Sequence, residues 1–232
     1  MSLLSLTFSP STIFNDFTDL PEYISGKIVL ASSLGMEDQV LTHVVRTVRP
    51  DIGIFVLDTG RLHQETYSVM SKTQEKYEFK YQVFFPDTHA VQGMMSEYGP
   101  NLFYESIEKR KLCCFNRKVE PLSRALIGSS AWITGQRRDQ SVTRSGLSVI
   151  ETDQSHGILK LNPLAEWSRN DIMDFIATHN IPYNVLHDRG FPSIGCAPCT
   201  RAVGPDDDVR SGRWWWEDSD KKECGLHIKS KG

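Results

Sequence analysis

The chain has 232 residues, 39% hydrophobic and 24% charged, with a formal net charge of −3 at pH 7. That length supports one well-buried core with room for a small appendage, in an ordinary globular composition. The slightly acidic balance offers no global attraction to nucleic acid or an anionic membrane, and no apolar stretch approaches a membrane span.

Met1 to Phe14 lacks the basic segment and long apolar run of a signal peptide, so the expected location is cytoplasmic. Disulfides are uncommon there, and paired cysteines more often bind metal or do redox chemistry.

Lys27 to Ala31 reads as a short buried strand, and Ser32-Ser33-Leu34-Gly35 as the turn after it. Glu37 through Val48 reads as a helix with Val40, Leu41, Val44 and Val45 on one face. A second strand, Ile52 to Leu57, ends at Asp58-Thr59-Gly60, and a helix follows from Gln64 to Tyr77. Phe79 to Phe85 is the third predicted strand. A helical stretch around Arg117 to Ile127 leads into the fourth, Ala131 to Thr134. Ser168 is placed to cap a further helix running to His179, before Pro182 breaks the pattern.

Strands alternating with helices predict an α/β fold built on an open, mostly parallel sheet. Ligands of such sheets bind beyond the C-terminal ends of the strands. The loops Ser32–Gly35, Asp58–Gly60 and Gly135–Arg144 all follow strands and are expected to share one crevice. The texture becomes irregular after Arg201, so 1–200 is read as the α/β domain and 201–232 as a C-terminal tail or lid.

Two loops suit an anion. Ser32, Ser33 and Gly35 stand between a strand and a helix N-terminus, where backbone N–H groups and the helix dipole favour negative charge. The spacing matches neither a Walker A loop nor GxGxxG, and a capped turn explains it equally well. Gly135-Gln136-Arg137-Arg138 through Arg144 carries three arginines whose planar forks match phosphate or sulfate oxygens. A solvated charged loop explains that stretch equally well in isolation, and its position in the predicted crevice favours anion binding.

Five cysteines fall into two sets. Cys113-Cys114 and Cys196-Ala-Pro-Cys199 form two pairs, and Cys224 stands alone. Four thiolates can satisfy a tetrahedral metal or an iron–sulfur cluster, leaving one thiol for chemistry. CxxC by itself also fits a zinc knuckle or a redox pair. The adjacent Cys113-Cys114 is not the usual partner in a zinc ribbon, and tilts the set towards a bulkier cluster. Cys224 lies in Lys221-Lys222-Glu223-Cys224-Gly225-Leu226-His227, where two lysines favour the thiolate and Glu223 opposes it.

Together these segments resemble the assimilatory sulfonucleotide reductases, and within them the cluster-containing adenylyl-sulfate (APS) reductases. The resemblance runs from about Ser32 to Leu226. It is carried by Ser-Leu-Gly-Met-Glu-Asp at 33–38, Leu-Asp-Thr-Gly at 57–60, and Cys-Cys-Phe-Asn-Arg-Lys-Val-Glu-Pro-Leu at 113–122. Gly-Gln-Arg-Arg-Asp-Gln-Ser at 135–141, Gly-Cys-Ala-Pro-Cys-Thr at 195–200, Gly-Arg-Trp-Trp-Trp at 212–216 and Glu-Cys-Gly-Leu-His at 223–227 extend it.

The resemblance implies a fold like the adenine-nucleotide α-hydrolases and a [4Fe–4S] cluster on Cys113, Cys114, Cys196 and Cys199. It implies that Cys224 attacks the sulfur of adenylyl sulfate and releases AMP. A thioredoxin- or glutaredoxin-type thiol would then free sulfite. Lys118, Arg210, Arg213 and His227 would contact sulfate or phosphate, and Leu57, Thr59 and Gly135 would border the adenine. The anion contacts would also include Ser32, Ser33, Gly35, Arg137, Arg138 and Arg144.

Three other readings compete. One exchanges the substrate for 3′-phosphoadenylyl sulfate. Another is an ATP-dependent adenylating or thiolating enzyme, opposed by Ser33-Leu34-Gly35-Met36-Glu37-Asp38 standing where a Ser-Gly-Gly-x-Asp-Ser loop is expected. The last is a zinc-binding nucleic-acid module, opposed by the acidic balance. A homo-oligomer is compatible with the chain, whose oligomeric state the sequence leaves open.

Overall fold

The computed structural model describes residues 6–140 and 144–218. Cys224 and His227 lie outside the described residues. The chain divides into two compact units. The first takes the described residues up to Val56 together with Glu65–Gln82 and Gly128–Val185. The second takes Leu57–Gln64, Val83–Ile127 and the described residues from Leu186 onward.

Six strands form one sheet: β1 (Ile28–Ser32), β2 (Gly53–Leu57), β3 (Gln82–Phe84), β4 (Ala131–Ile133), β5 (Ile150–Asp153) and β6 (Ile158–Leu161). Their order is β3-β2-β1-β4-β6-β5. β1 pairs in parallel with β2 and β4, β4 with β6 in parallel, and only β5 with β6 is antiparallel among these. The α/β, mostly parallel expectation is therefore met. The strand order reverses between β1 and β4, which puts the loops after these two strands at a topological switch point.

The helices are α1 (Ile13–Asp19), α2 (Met36–Val48), α3 (Gln64–Tyr77), α4 (Thr88–Tyr98), α5 (Ile107–Cys114), α6 (Glu120–Ala125) and α7 (Arg169–Thr178). In the first unit, Val40, Leu41, Val44 and Val45 of α2 pack with Leu30, Ile133 and Leu161 of the sheet, all fully buried. Each such side chain contributes roughly 1.5–3 kcal/mol by leaving water. Trp167 joins this core and donates its indole N–H to the Phe8 carbonyl at 2.6 Å, so its one side-chain polar group is satisfied.

α3 coincides with its predicted span, and α7 starts after Ser168 as expected. Ser168 accepts from the Asp171 N–H while Asp171 accepts from Ser168, a complete capping box. The third strand is shorter than Phe79 to Phe85, because Tyr81 is buried against Phe79 before the strand begins. The β5–β6 hairpin was not anticipated. Each strand has only four residues, too few for a clear alternation, and the turn depends on Gly157 at φ 67°.

Ser168→Ala removes the serine half of the capping box. It should lower unfolding free energy by about 1 kcal/mol. Urea denaturation should show a reduced midpoint with an unchanged slope.

Candidate active site

The first unit builds its site at the switch point. Leu34 turns the chain after β1 with a left-handed φ of 63°, and Gly35 caps α2. Asp38, in the first turn of α2, folds back on this loop. Its carboxylate accepts the Ser33 N–H and the Ser33 hydroxyl, both at 2.6 Å. It also accepts the backbone N–H of Gly135, the residue just after β4. A Cβ on Gly135 would overlap the Asp38 carboxylate and come within 2.9 Å of Glu37 Cβ. One buried carboxylate thus draws the Ser32–Gly35 loop and Gly135 together. Burial pushes its pKa up to about 6, against the Ser33 hydrogen bonds that lower it.

The three arginines of the following loop are engaged with protein acceptors. Arg137 is buried and binds Glu37 at 3.0 Å, Asp139 at 2.5 Å and the Trp167 carbonyl at 3.2 Å. Arg138 donates to the Leu147 carbonyl and to Glu166. Arg144 donates to Gln140. Ser32 accepts from the Leu34 N–H. Of the three loops expected to share a crevice, Ser32–Gly35 and Gly135–Arg137 meet in this unit, whereas Asp58–Gly60 belongs to the second.

The second unit gathers the four paired cysteines, all free thiols, on one pocket that is partly open to solvent. Cys113 and Cys114 end α5, and the helix then widens into a π turn over Phe115–Val119 before α6. Such turns are rare and cluster at functional sites. Cys196 caps a 3₁₀ turn, Ala197–Cys199, that Cys199 ends. Burial raises the Cys199 thiol to about 12, and Cys196, Cys114 and Cys113 add to that effect. Burial also raises Cys113, opposed by the Arg117 guanidinium.

Cations and apolar surface complete the wall, with Arg61, Arg110, Arg117, Lys118 and Arg213 beside Phe103, Pro198 and Trp214. Arg117 Nε, Arg213 Nε and the Trp214 indole N–H are buried without a hydrogen-bond partner among the described residues. Four thiols facing donors that lack acceptors suit an anionic, sulfur-rich metal group. Among the described residues, no three His, Cys, Asp or Glu side chains are grouped to hold a metal ion. The sulfurs are joined instead by the pocket they line.

Thr59 contacts two of the residues that line this pocket. Its hydroxyl lies 3.3 Å from Cys196 Sγ, and its carbonyl accepts from Arg117 at 2.6 Å. Leu57 closes β2 two residues earlier. The start of the expected tail is stitched to the CxxC turn. Thr200 bridges Arg213, and the Trp214 N–H donates to the Cys199 carbonyl at 3.2 Å. Trp214 adopts φ 41°, a strain of order 1–3 kcal/mol for a bulky residue, which the surrounding contacts must hold. Arg213 packs on its ring with Cζ 4.6 Å from the centroid, and Arg210 lies at 5.9 Å. A Cβ on Gly195 would overlap the Arg213 guanidinium, so the residue before Cys196 leaves room for that charge.

Residues 27–202 match the family described as the phosphoadenosine phosphosulfate reductase domain. The chain belongs to this family. Its relatives include proteins named adenosine 5′-phosphosulfate reductase. That of Burkholderia cepacia is 52% identical over 202 residues, covering 87% of this chain and 81% of that protein. That of Allochromatium vinosum is 51% identical, covering 86% and 78%. Among solved structures, the phosphoadenylyl-sulfate reductase from Candida auris in a phosphate complex superposes with a TM-score of 0.70. It is 26% identical and covers 87% of this chain and 92% of that one. The FMN adenylyltransferase of Candida glabrata, in complex with FAD and pyrophosphate, shares the fold at a TM-score of 0.57 and 15% identity, covering 99% and 77%.

Sequence reasoning missed several residues of this reductase-family pocket. Arg110 and Arg117 stand four residues before Cys114 and four after Cys113, one helical turn away in each case. That spacing was a readable signal. Arg61, Phe103 and the carboxylate of Glu217 carry none, since only folding brings them to the cysteines.

Asp38 yields a pH test. A carboxyl whose folded pKa exceeds its unfolded 3.8 binds more protons when folded, so its stabilisation is complete below pH 3.8 and is lost as pH rises to about 6. Wild-type unfolding free energy should fall relative to Asp38→Asn across that window, by on the order of 3 kcal/mol. Parallel pH profiles for the two proteins would contradict a burial-driven shift.

Proposed function

We propose that this chain reduces adenylyl sulfate to sulfite and AMP, with thiols as the electron source. The observation that carries this reading is a member of the family presenting four thiols on one pocket. Relatives about half identical over most of the chain and named for this substrate support its choice over the 3′-phosphorylated form.

In this reading Cys113, Cys114, Cys196 and Cys199 hold a [4Fe–4S] cluster, which supplies a compact negative charge and a rigid anchor for the surrounding cations. Arg117, Arg213 and Trp214 line the same pocket, and each has a buried side-chain N–H without a partner among the described residues. Lys118 lines the same pocket and is left to meet substrate charge. Arg210, Arg213 and His227 serve the sulfate and phosphate oxygens. Leu57 and Thr59 border the adenine.

In the first unit, the loop of Ser32 and Gly35 takes a phosphate while Asp38 holds the Ser33 N–H and hydroxyl and so shapes that loop, and Gly135 allows close approach of the adenine. Arg138 and Arg144 lend positive charge to the loop. Arg137 is spent on Glu37 and Asp139, and acts by holding that loop in shape.

The Cys224 thiolate attacks the sulfate sulfur, and the bond from sulfur to the phosphate oxygen breaks. AMP leaves with that electron pair, and an S-sulfocysteine remains. Neutralising the phosphate makes AMP the better leaving group. A thioredoxin- or glutaredoxin-type thiolate next attacks Cys224 Sγ and expels sulfite, forming a mixed disulfide. Its second thiol resolves the disulfide, so two thiols are oxidised for each sulfite released. The same Cys224 thiol meets substrate and reductant in turn. No helix among the described residues is long and apolar enough to cross a membrane.

Anaerobically purified protein incubated with adenylyl sulfate and no thiol should gain the mass of one SO₃ group. Cys224→Ser should not gain it, and a gain there would refute the nucleophile. Gain from the 3′-phosphorylated nucleotide alone would reassign the substrate. Cys196→Ser should lose cluster iron while staying soluble, and zinc without iron or sulfide in the wild type would refute the cluster.

A further inference from the structure

We propose that Arg110, locked by Glu217, is a positioning residue for the Cys114 sulfur, and that this pair ties cluster seating to the start of the C-terminal segment. The inference rests on the cluster reading above and adds residues which that reading does not use.

Arg110 is fully buried on α5, four residues before Cys114. Its Nε and Nη2 donate to the two carboxylate oxygens of Glu217 at 2.9 and 2.7 Å. The Glu217 side chain is itself only 3% exposed. Trp214 lies under the guanidinium, 4.7 Å from Cζ to the ring centroid. The fork is therefore held along one edge by a carboxylate and across one face by an indole. It also hydrogen-bonds Cys114.

A buried ion pair is a poor device for stability alone. Desolvating two charges costs several kcal/mol each, and apolar replacements of similar volume are often neutral or better. Such a pair is useful where a donor must be held at one place and angle. A lone arginine would keep its rotamer freedom and leave an uncompensated charge.

Here the carboxylate cancels the charge and fixes the fork, so Cys114 meets an oriented N–H. Arg117 stands in the mirrored position for Cys113. It touches that thiol and is pinned by the Thr59 carbonyl. Each of two adjacent sulfurs thus has its own braced donor, one turn away on opposite sides. The Arg110 brace comes from Glu217, three residues past the strained Trp214. Any movement of that segment that withdraws Glu217 frees the donor of Cys114.

The test uses anaerobic, full-length protein carrying its cluster. Arg110→Met with Glu217→Leu removes both charges at once, and Arg110→Lys keeps the charge but not the fork. Readouts are iron and sulfide per chain, the rate of iron release to a chelator, the Mössbauer spectrum and the urea midpoint.

The double variant should fold with a near wild-type midpoint yet release iron about 10–100-fold faster, with an altered spectrum. Arg110→Lys should show the same changes to a smaller degree. Wild-type release and spectrum in a folded double variant would overturn the proposal, leaving the pair a packing element. If the double variant does not fold, wild-type behaviour of Arg110→Lys overturns it instead. Wild-type protein lacking iron and sulfide would refute the cluster reading itself, a separate failure.

Discussion

Neighbouring side chains on an α-helix point about 100° apart, so two adjacent cysteines do not ordinarily face the same object. The second unit is organised around that constraint. Cys113 and Cys114 close α5, and the π turn at Phe115–Val119 follows at once. Bonding from i to i+5 widens the helix there and alters the direction in which the next turn faces. Arg117 lies within that turn and returns to Thr59, so the departure from regular helix also brings a brace to the cysteines.

The two units handle charge in opposite ways. In the first, carboxylates answer arginines: Arg137 is matched by Glu37 and Asp139, and Asp38 is satisfied by Ser33 and Gly135. In the second, five cations line the pocket, and Glu217 holds Arg110 among them. Arg117 Nε, Arg213 Nε and the Trp214 indole N–H, all buried, have no acceptor among the described residues. A wall of donors is costly unless anions meet it. Four thiolates and a negatively charged substrate are the anions the proposed reaction brings.

Local chemistry made part of this fold legible. α2 and α7 are legible in the sequence because apolar periodicity and a Ser168 cap act within a few residues. The four pocket cysteines and the loops after β1 and β4 were recognised from residue type and spacing. The β5–β6 hairpin escaped because four-residue strands carry little pattern. Arg137 was expected to meet an anion, but its partners Glu37 and Trp167 are distant in sequence and invisible to a local reading. Glu217 escaped for the same reason, lying 107 residues from Arg110.

The sequence by itself determined the family, the alternation of strands and helices, and the chemical identity of the thiols, since motif order and residue type survive without coordinates. Tertiary structure alone decided which cations remain for a ligand and which are consumed by carboxylates. It also decided that a single Asp38 unites two strand-end loops, and that Arg110 is braced from the far end of the described chain. The reason is physical: a residue's type sets what it can bond, but the partner it bonds is chosen by which distant segments the folded core brings within 3 Å.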